Sequence, residues 1–313
     1  MAGLPDDTTT GPGAGSAPGP GWSEPLIVAG GGRMGEALVK GLLAGGWNPD
    51  LIAVVEVSQR RRWELEQAGY TARGLLVVSD VGEAVEGLTA GQTRTSASGP
   101  SGSAGRSLGQ LGAILAVKPY DVGPVCIELN QAGVRRVLSI AAGVTLESLE
   151  AWLDPVAVLR SMPNTAATVG AAASALCRGR RATPDDVAWA MALLGAVGTV
   201  IEVPEKSLDA VTGLSGSGPA YVFLVVEALV DAGVHVGLSR DTARTLAVAT
   251  LVGSAKLLEA TGEEASVLRA DVTSPGGTTA AGLRQLERAA VRAAILEAVV
   301  ASAERARELG KQT

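Results

Sequence analysis

Residues 25–46 read PLIVAGGGRMGEALVKGLLAGG: an apolar pentad, a glycine-rich turn, and a segment with helical apolar spacing. The order predicts a strand over Pro25–Ala29, a tight turn over Gly30–Gly35 and a helix beyond it. Gly30, Gly32 and Gly35 carry the G-x-G-x-x-G spacing. The first glycine permits the turn, the second lets a pyrophosphate approach the backbone, and the third lets the helix pack closely on the strand. Amides at the start of that helix are then free to receive phosphate charge. A glycine-rich strand-to-helix turn without a ligand has the same local pattern, but the flanking strand and helix favour the dinucleotide reading.

Working outward, LIAVVEVS over Leu51–Ser58 predicts the second strand, followed by SQRRR. Its end should face an adenosine ribose. There an acid favours NAD, whereas a hydroxyl or guanidinium favours the extra phosphate of NADP. Glu56 supports NADH, while Ser58, Gln59 and Arg60 support NADPH if Glu56 turns back toward the sheet. NADPH is the preferred expectation and NADH the alternative.

A third strand over Leu75–Ser79 precedes a Gly/Ser/Thr-rich tract at 89–109, expected to be a flexible surface insert that costs little loop-closure entropy. LGAILAVKPYDV then predicts a buried strand ending at Lys118 and Pro119, with Ala116 through Pro119 beside the ligand crevice. Further strands are expected in Val137–Val144 and at the start of Val156–Gly170. In the latter segment Met162, Pro163, Asn164 and Thr165 form a constrained loop, open to either a cavity-lining or an Asx-turn role. A helix over Pro184–Gly198 and a strand over Thr199–Val203 close this α/β unit.

From Leu208 the pattern becomes almost continuously helical and rich in small residues, which suits an intrachain bundle or, the preferred reading, one built with a second subunit. Gly216 and Gly218 around Ser217 suggest a distorted helical turn, which spacing alone does not separate from a second phosphate loop. Near the end, DVTSPGGTT at Asp271–Thr279 combines a tight glycine turn with three hydroxyls at a helix start. That combination suits a carboxylate, although Ser274 or Thr278 alone could simply cap the helix.

Composition narrows the function. The 313 residues carry 26 Lys and Arg against 32 Asp and Glu, a net charge of −6, and no basic run, so nucleic acid is not an expected partner. Two cysteines and one histidine supply neither a disulfide framework nor a zinc pattern. No signal-peptide pattern and no membrane-spanning run are expected, which suggests a cytoplasmic protein. The resulting division is a disordered tail at 1–24, a dinucleotide-binding domain at 25–204 and a helical domain at 205–313.

Taken together, GGGRMGEAL, LAVKPYDV, SIAAGV, RSMPNTAATVG, TGLSGSGPAY, EALVDAGVHVGL and DVTSPGGTT resemble, in order, the pyrroline-5-carboxylate reductase family. The resemblance implies an N-terminal Rossmann-like α/β domain followed by an all-helical dimerisation domain, and a homodimer that assembles further into a decamer. It implies hydride transfer from NADPH or NADH to 1-pyrroline-5-carboxylate, giving L-proline. On this chain it would place Gly30, Gly32, Arg33 and Met34 at the pyrophosphate, and Ser58, Gln59 and Arg60 at the ribose. Ala116, Lys118, Pro119 and Asn164 would lie around the nicotinamide. Ser274, Gly277 and Thr278 would hold the substrate carboxylate, and Thr279 would orient the ring nitrogen without acting as a general acid. The chain departs from the family pattern at Ala166, often proline, and at Glu264–Ala265, often His-Pro. A different dinucleotide-dependent dehydrogenase and a non-catalytic nucleotide-sensing dimer are the competing classes.

Overall fold

A computed structural model describes residues 24–96 and 110–310. Its first half is a sheet of eight strands in the order β3-β2-β1-β4-β5-β6-β7-β8. The strands are β1 Leu26–Ala29, β2 Ile52–Val55, β3 Leu76–Val78, β4 Gly112–Leu115, β5 Arg136–Ser139, β6 Ala157–Met162, β7 Ala172–Arg178 and β8 Gly198–Glu202. The first six are parallel; β7 runs antiparallel to β6, and β8 parallel to β7.

The apolar runs LIVA and IAVV are buried along their whole length, as parallel strands covered on both faces must be. Alternate residues feed opposite layers. Ile27, Ala29, Ala53 and Val55 pack under α3 Val81–Ser96, α4 Val122–Gln131 and α5 Leu146–Leu153, where Leu88, Leu129 and Leu149 are fully buried. Leu26, Val28, Ile52 and Val54 pack under α1 Arg33–Ala44, α2 Gln59–Gln67 and α6 Pro184–Gly195, against Leu38, Leu42, Leu65 and Trp189. Right-handed crossovers in this order leave a crevice between β1 and β4 at the carboxyl ends of the strands.

Several expected boundaries move. β2 and β4 stop at Val55 and Leu115, short of Ser58 and Lys118, because their pairing partner β1 ends at Ala29. Strand β7, within TVGAAASALCRG, has no counterpart among the sequence expectations. Helix α3 continues to Ser96, so the insert expected from residue 89 begins as helix; residues 97–109 lie outside the described residues. So does the expected tail through residue 23. Glu24, assigned to that tail, instead pairs with the buried Arg136 at the start of β5.

Beyond β8 come the short α7 Leu208–Val211 and a π-helical turn at Thr212–Gly216. The distortion expected around Gly216 is therefore present. Helices α8 Gly218–His235, α9 Arg240–Thr261, α10 Ala265–Asp271, α11 Thr278–Arg288 and α12 Val291–Gly310 complete the chain. These helices expose many large apolar side chains, among them Phe223, Leu224, Leu246, Val252, Ile295 and Leu296. By length and composition alone the helical run Glu205–His235, with a window of mean hydropathy 1.4, could cross a membrane, but Glu227 and Asp231 interrupt its apolar stretch.

Candidate active site

The glycine turn leaves β1 inside that crevice. The Gly30 N–H donates to the Val55 carbonyl at 2.8 Å, and the Ala116 N–H donates to Ala29 at 2.8 Å. The three motif glycines are present for different reasons. Gly30 has φ +107°, and a Cβ on it would stand 2.7 Å from the Ala116 carbonyl carbon; a Cβ on Gly35 would collide with the Gly30 carbonyl oxygen. Packing within the protein therefore demands both. Around Gly32 no heavy atom lies within 4 Å of where a Cβ would be, so packing within the chain does not demand a glycine there. Gly32 caps α1 without a side-chain bond, leaving the first amides of the helix facing that open space. A dinucleotide pyrophosphate fits this arrangement. Arg33 is exposed beside it with no ion-pair partner among the described residues, while Met34 packs partly onto the core.

At the ribose end, Glu56 is half-buried. Its carboxylate accepts from the Gly31 amide at 3.0 Å and the Ser58 amide at 2.9 Å. The Ser58 hydroxyl caps α2 by accepting from Arg61 N–H at 3.3 Å. Gln59 and Arg60 are exposed, and Arg60 Nε donates to Glu64 at 3.1 Å. Arg61, absent from the expected set, is held most firmly: by the Gly31 carbonyl, Glu36 and Glu64. Nothing in a local run of three arginines distinguishes the one whose partners lie 25 and 30 residues away.

On the opposite flank Ala116 meets the glycine turn directly, and exposed Lys118 caps a 3₁₀ turn over Pro119–Asp121. Asn164 is engaged within the protein. Its carboxamide oxygen accepts from Ala166 and Ala173 N–H, both at 3.2 Å, and its nitrogen donates to the Ser215 carbonyl at 3.0 Å. The side chain thus makes the Asx turn that the sequence allows and a strut, with one amide N–H still to offer. The bond from Ala166 needs an N–H, so the departure from proline at this position has a local use.

Ser274–Thr279 stands apart. Gly276 has φ +71°, and a Cβ on Gly277 would collide with the Ser274 hydroxyl, so both glycines are needed for the turn. Gly277, not a hydroxyl residue, caps α11, and no side chain bonds the cap. Ser274, Thr278 and Thr279 therefore keep their hydroxyls free of other described residues, beside uncapped amides at a helix start. Such an arrangement is chemically able to receive an anionic group. The main packing partner of α11 within the chain is α12, so one chain keeps this receptor and the glycine turn on separate elements. Two hollows lie elsewhere, about 220 Å³ beside Glu150, Asp154 and Arg180–Arg181, and about 400 Å³ beside Arg178 and Glu202–Glu205. Their arginines are already ion-paired, and neither hollow contains an expected site residue.

A parallel sheet with a glycine turn at its switch point, followed by helices with uncovered apolar faces, defines a two-domain nicotinamide-dependent oxidoreductase with a dimerising helical half. Residues 205–309 match the family model described as pyrroline-5-carboxylate reductase dimerisation. The chain is 42% identical over 312 residues to a pyrroline-5-carboxylate reductase of Mycobacterium tuberculosis, covering 91% of this chain and 96% of that one. It is 39% identical to another from Corynebacterium melassecola, covering 91% and 98%. Among solved structures, a pyrroline-5-carboxylate reductase of Coxiella burnetii superposes with TM-score 0.78 at 32% identity, covering 92% and 98%. The Plasmodium falciparum pyrroline carboxylate reductase, solved with NADP bound, gives 0.74 at 26% identity, covering 92% and 98%. The chain belongs to the pyrroline-5-carboxylate reductase family.

Proposed function

We propose that the glycine turn and the Ser274–Thr279 receptor are the cofactor and substrate ends of one active site, completed when two copies of the chain pair through their helices. The chain reduces 1-pyrroline-5-carboxylate to L-proline. The observation that carries this reading is the pair of uncapped helix starts, at Gly32 and at Gly277, the first suited to a pyrophosphate and the second to a carboxylate.

A bound nicotinamide coenzyme supplies the hydride for the imine carbon. The protein supplies placement. The α1 amides and Arg33 hold the pyrophosphate charge, and Ala116, Lys118 and Pro119 wall the nicotinamide side. Ser274, Gly277 and Thr278 bind the substrate carboxylate, and the Thr279 hydroxyl orients the ring nitrogen, which gains the proton as its carbon gains the hydride. No side chain in this set is a strong acid, so the proton comes with the substrate or through water. NADPH is supported over NADH by the two backbone amides that already occupy the Glu56 carboxylate and by the exposure of Ser58, Gln59 and Arg60 at the end of β2, where a ribose phosphate would lie.

The exposed apolar run of α8 we assign to pairing between copies rather than to a membrane, because it lies within the matched dimerisation region. A decamer of such pairs and a cytoplasmic location complete the reading. Light scattering of the purified protein measures the first.

The test is consumption of NADPH and of NADH by the folded protein with 1-pyrroline-5-carboxylate. Loss of reduced coenzyme with formation of proline is expected, and a folded protein that consumes neither overturns the reading. Thr279→Ala should weaken substrate use about ten-fold through one lost hydrogen bond and leave coenzyme affinity unchanged.

A further inference from the structure

Helix α2 grips the glycine turn from outside. Both polar groups of Gly31 are held: its N–H donates to Glu56 Oε2 at 3.0 Å, and its carbonyl accepts from Arg61 Nε at 2.7 Å. The other two nitrogens of Arg61 are also engaged. Nη1 donates to Glu64 at 3.0 Å, and Nη2 pairs with Glu36 on α1. Glu36 is fixed in turn by the Tyr70 hydroxyl, which donates to it at 3.2 Å. Burial alone would lower the Arg61 pKa, but the bonds to Glu36 and Glu64 outweigh it and raise it.

The neighbouring arginines do different work. Arg62 donates to the carbonyls of Glu56 and Val57 at 2.7 and 2.9 Å. Arg60 has a side chain 89% exposed, against 25% for Arg61. With one N–H of each nitrogen committed and little of the side chain exposed, Arg61 has less to offer a coenzyme phosphate than Arg60, which makes one such bond.

We infer that Arg61, with Glu36 and Glu56, is a positioning residue for the coenzyme: it locks Gly31 so that the amides after Gly32 already point at the pyrophosphate. This rests on the reading of the glycine turn as the coenzyme end. A preset loop lowers the ordering cost of binding for any coenzyme with a pyrophosphate. Arg61 therefore acts equally on NADPH and NADH, and Arg60 tells them apart.

The test is titration of the full-length protein and of R61M, R61K, E36Q and R60M with NADPH and with NADH, followed by coenzyme fluorescence, with KM for 1-pyrroline-5-carboxylate measured at saturating coenzyme. For R61M both coenzymes should bind about ten-fold more weakly, with their ratio and the substrate KM unchanged, as expected for loss of a charge-assisted contact. R61K should recover only part of this, since an ammonium cannot reproduce the fork. R60M should weaken NADPH alone. Unaltered affinity in R61M overturns the inference, as does a loss confined to NADPH, which would make Arg61 a phosphate ligand. A parallel rise in substrate KM also overturns it, because that would mean general disorder. If R61M does not fold, E36Q carries the same test: an equal weakening of both coenzymes supports the inference and no change overturns it. A parent protein that binds neither coenzyme defeats the reading of the site itself; one that binds both while R61M binds equally well defeats only this inference.

Discussion

The Asn164 carboxamide donates to the Ser215 carbonyl at 3.0 Å, joining the loop after β6 to the π turn that opens the helical domain. The same side chain accepts from Ala166 and Ala173, so one residue ties three segments. Asn164→Asp keeps an oxygen for the two amides but sets a second oxygen against the Ser215 carbonyl. The variant should lose about 1–3 kcal/mol of stability and turn over more slowly. An unchanged denaturant midpoint would show that the bond is not held in solution.

The glycines of the turn separate packing from binding. Gly32→Ala places its methyl in open space at an ordinary backbone conformation, φ −64° and ψ −176°, so unfolding should be unaltered while coenzyme affinity falls at least ten-fold, or about 1.4 kcal/mol. Gly35→Ala drives its methyl into the Gly30 carbonyl and should cost about 1–3 kcal/mol of stability by overpacking. Equal effects of the two substitutions on unfolding would contradict this division.

Neither cysteine is suited to react. Cys126 and Cys177 are buried, and burial pushes each thiol up to about 12. At pH 8 the thiolate fraction is then about 10⁻⁴, so iodoacetamide should leave the native enzyme active and label both residues only after unfolding. A thiol whose folded pKa is raised stabilises the fold below its unfolded pKa. That contribution fades as pH climbs from about 9 toward about 12. Rapid labelling at pH 8 would refute the buried placement.

Helix α10 begins at Ala265, preceded by Glu264 at φ −64° and ψ 136° without a side-chain cap. Extended backbone is what a residue before proline adopts, and the first helical position is where proline fits. Ala265→Pro should therefore stabilise the protein by about 0.4–1 kcal/mol through a restricted unfolded chain. The readout is a higher denaturant midpoint at unchanged slope, and a lower midpoint would show that the position cannot accept the ring.

The strand, glycine turn and helix at residues 25–46 were legible because spacing, turn residues and burial all act within a few residues. The same holds for the Ser274–Thr279 turn, where two glycines and three hydroxyls are adjacent. What escaped depended on distance along the chain. Strand β7 is a run of small residues whose status comes from pairing with β6 and β8 on either side. Arg61 is marked out from Arg60 and Arg62 only by Gly31 and Glu36, far upstream. Asn164 offers the same donor and acceptor to a ligand or to the protein, and its bond to Ser215, 51 residues on, has no local signal. Glu56 was readable only as a conditional, because its bonds to Gly31 and Ser58 depend on where the glycine turn comes to lie.

The reversal at β7 has a mechanical consequence. Because β7 and β8 run against the first six strands, the chain leaves the sheet away from the crevice and must climb back along β6. It is pinned twice on the way. Glu205 pairs with Arg160 at 2.7 Å and accepts the Leu146 amide at 2.7 Å, and ten residues later Ser215 meets Asn164. A joint fastened at two heights resists rocking where a single linker would swing. On the proposed reading of the site, the distance between the cofactor and substrate ends then depends more on how two copies dock than on a closing motion inside one chain.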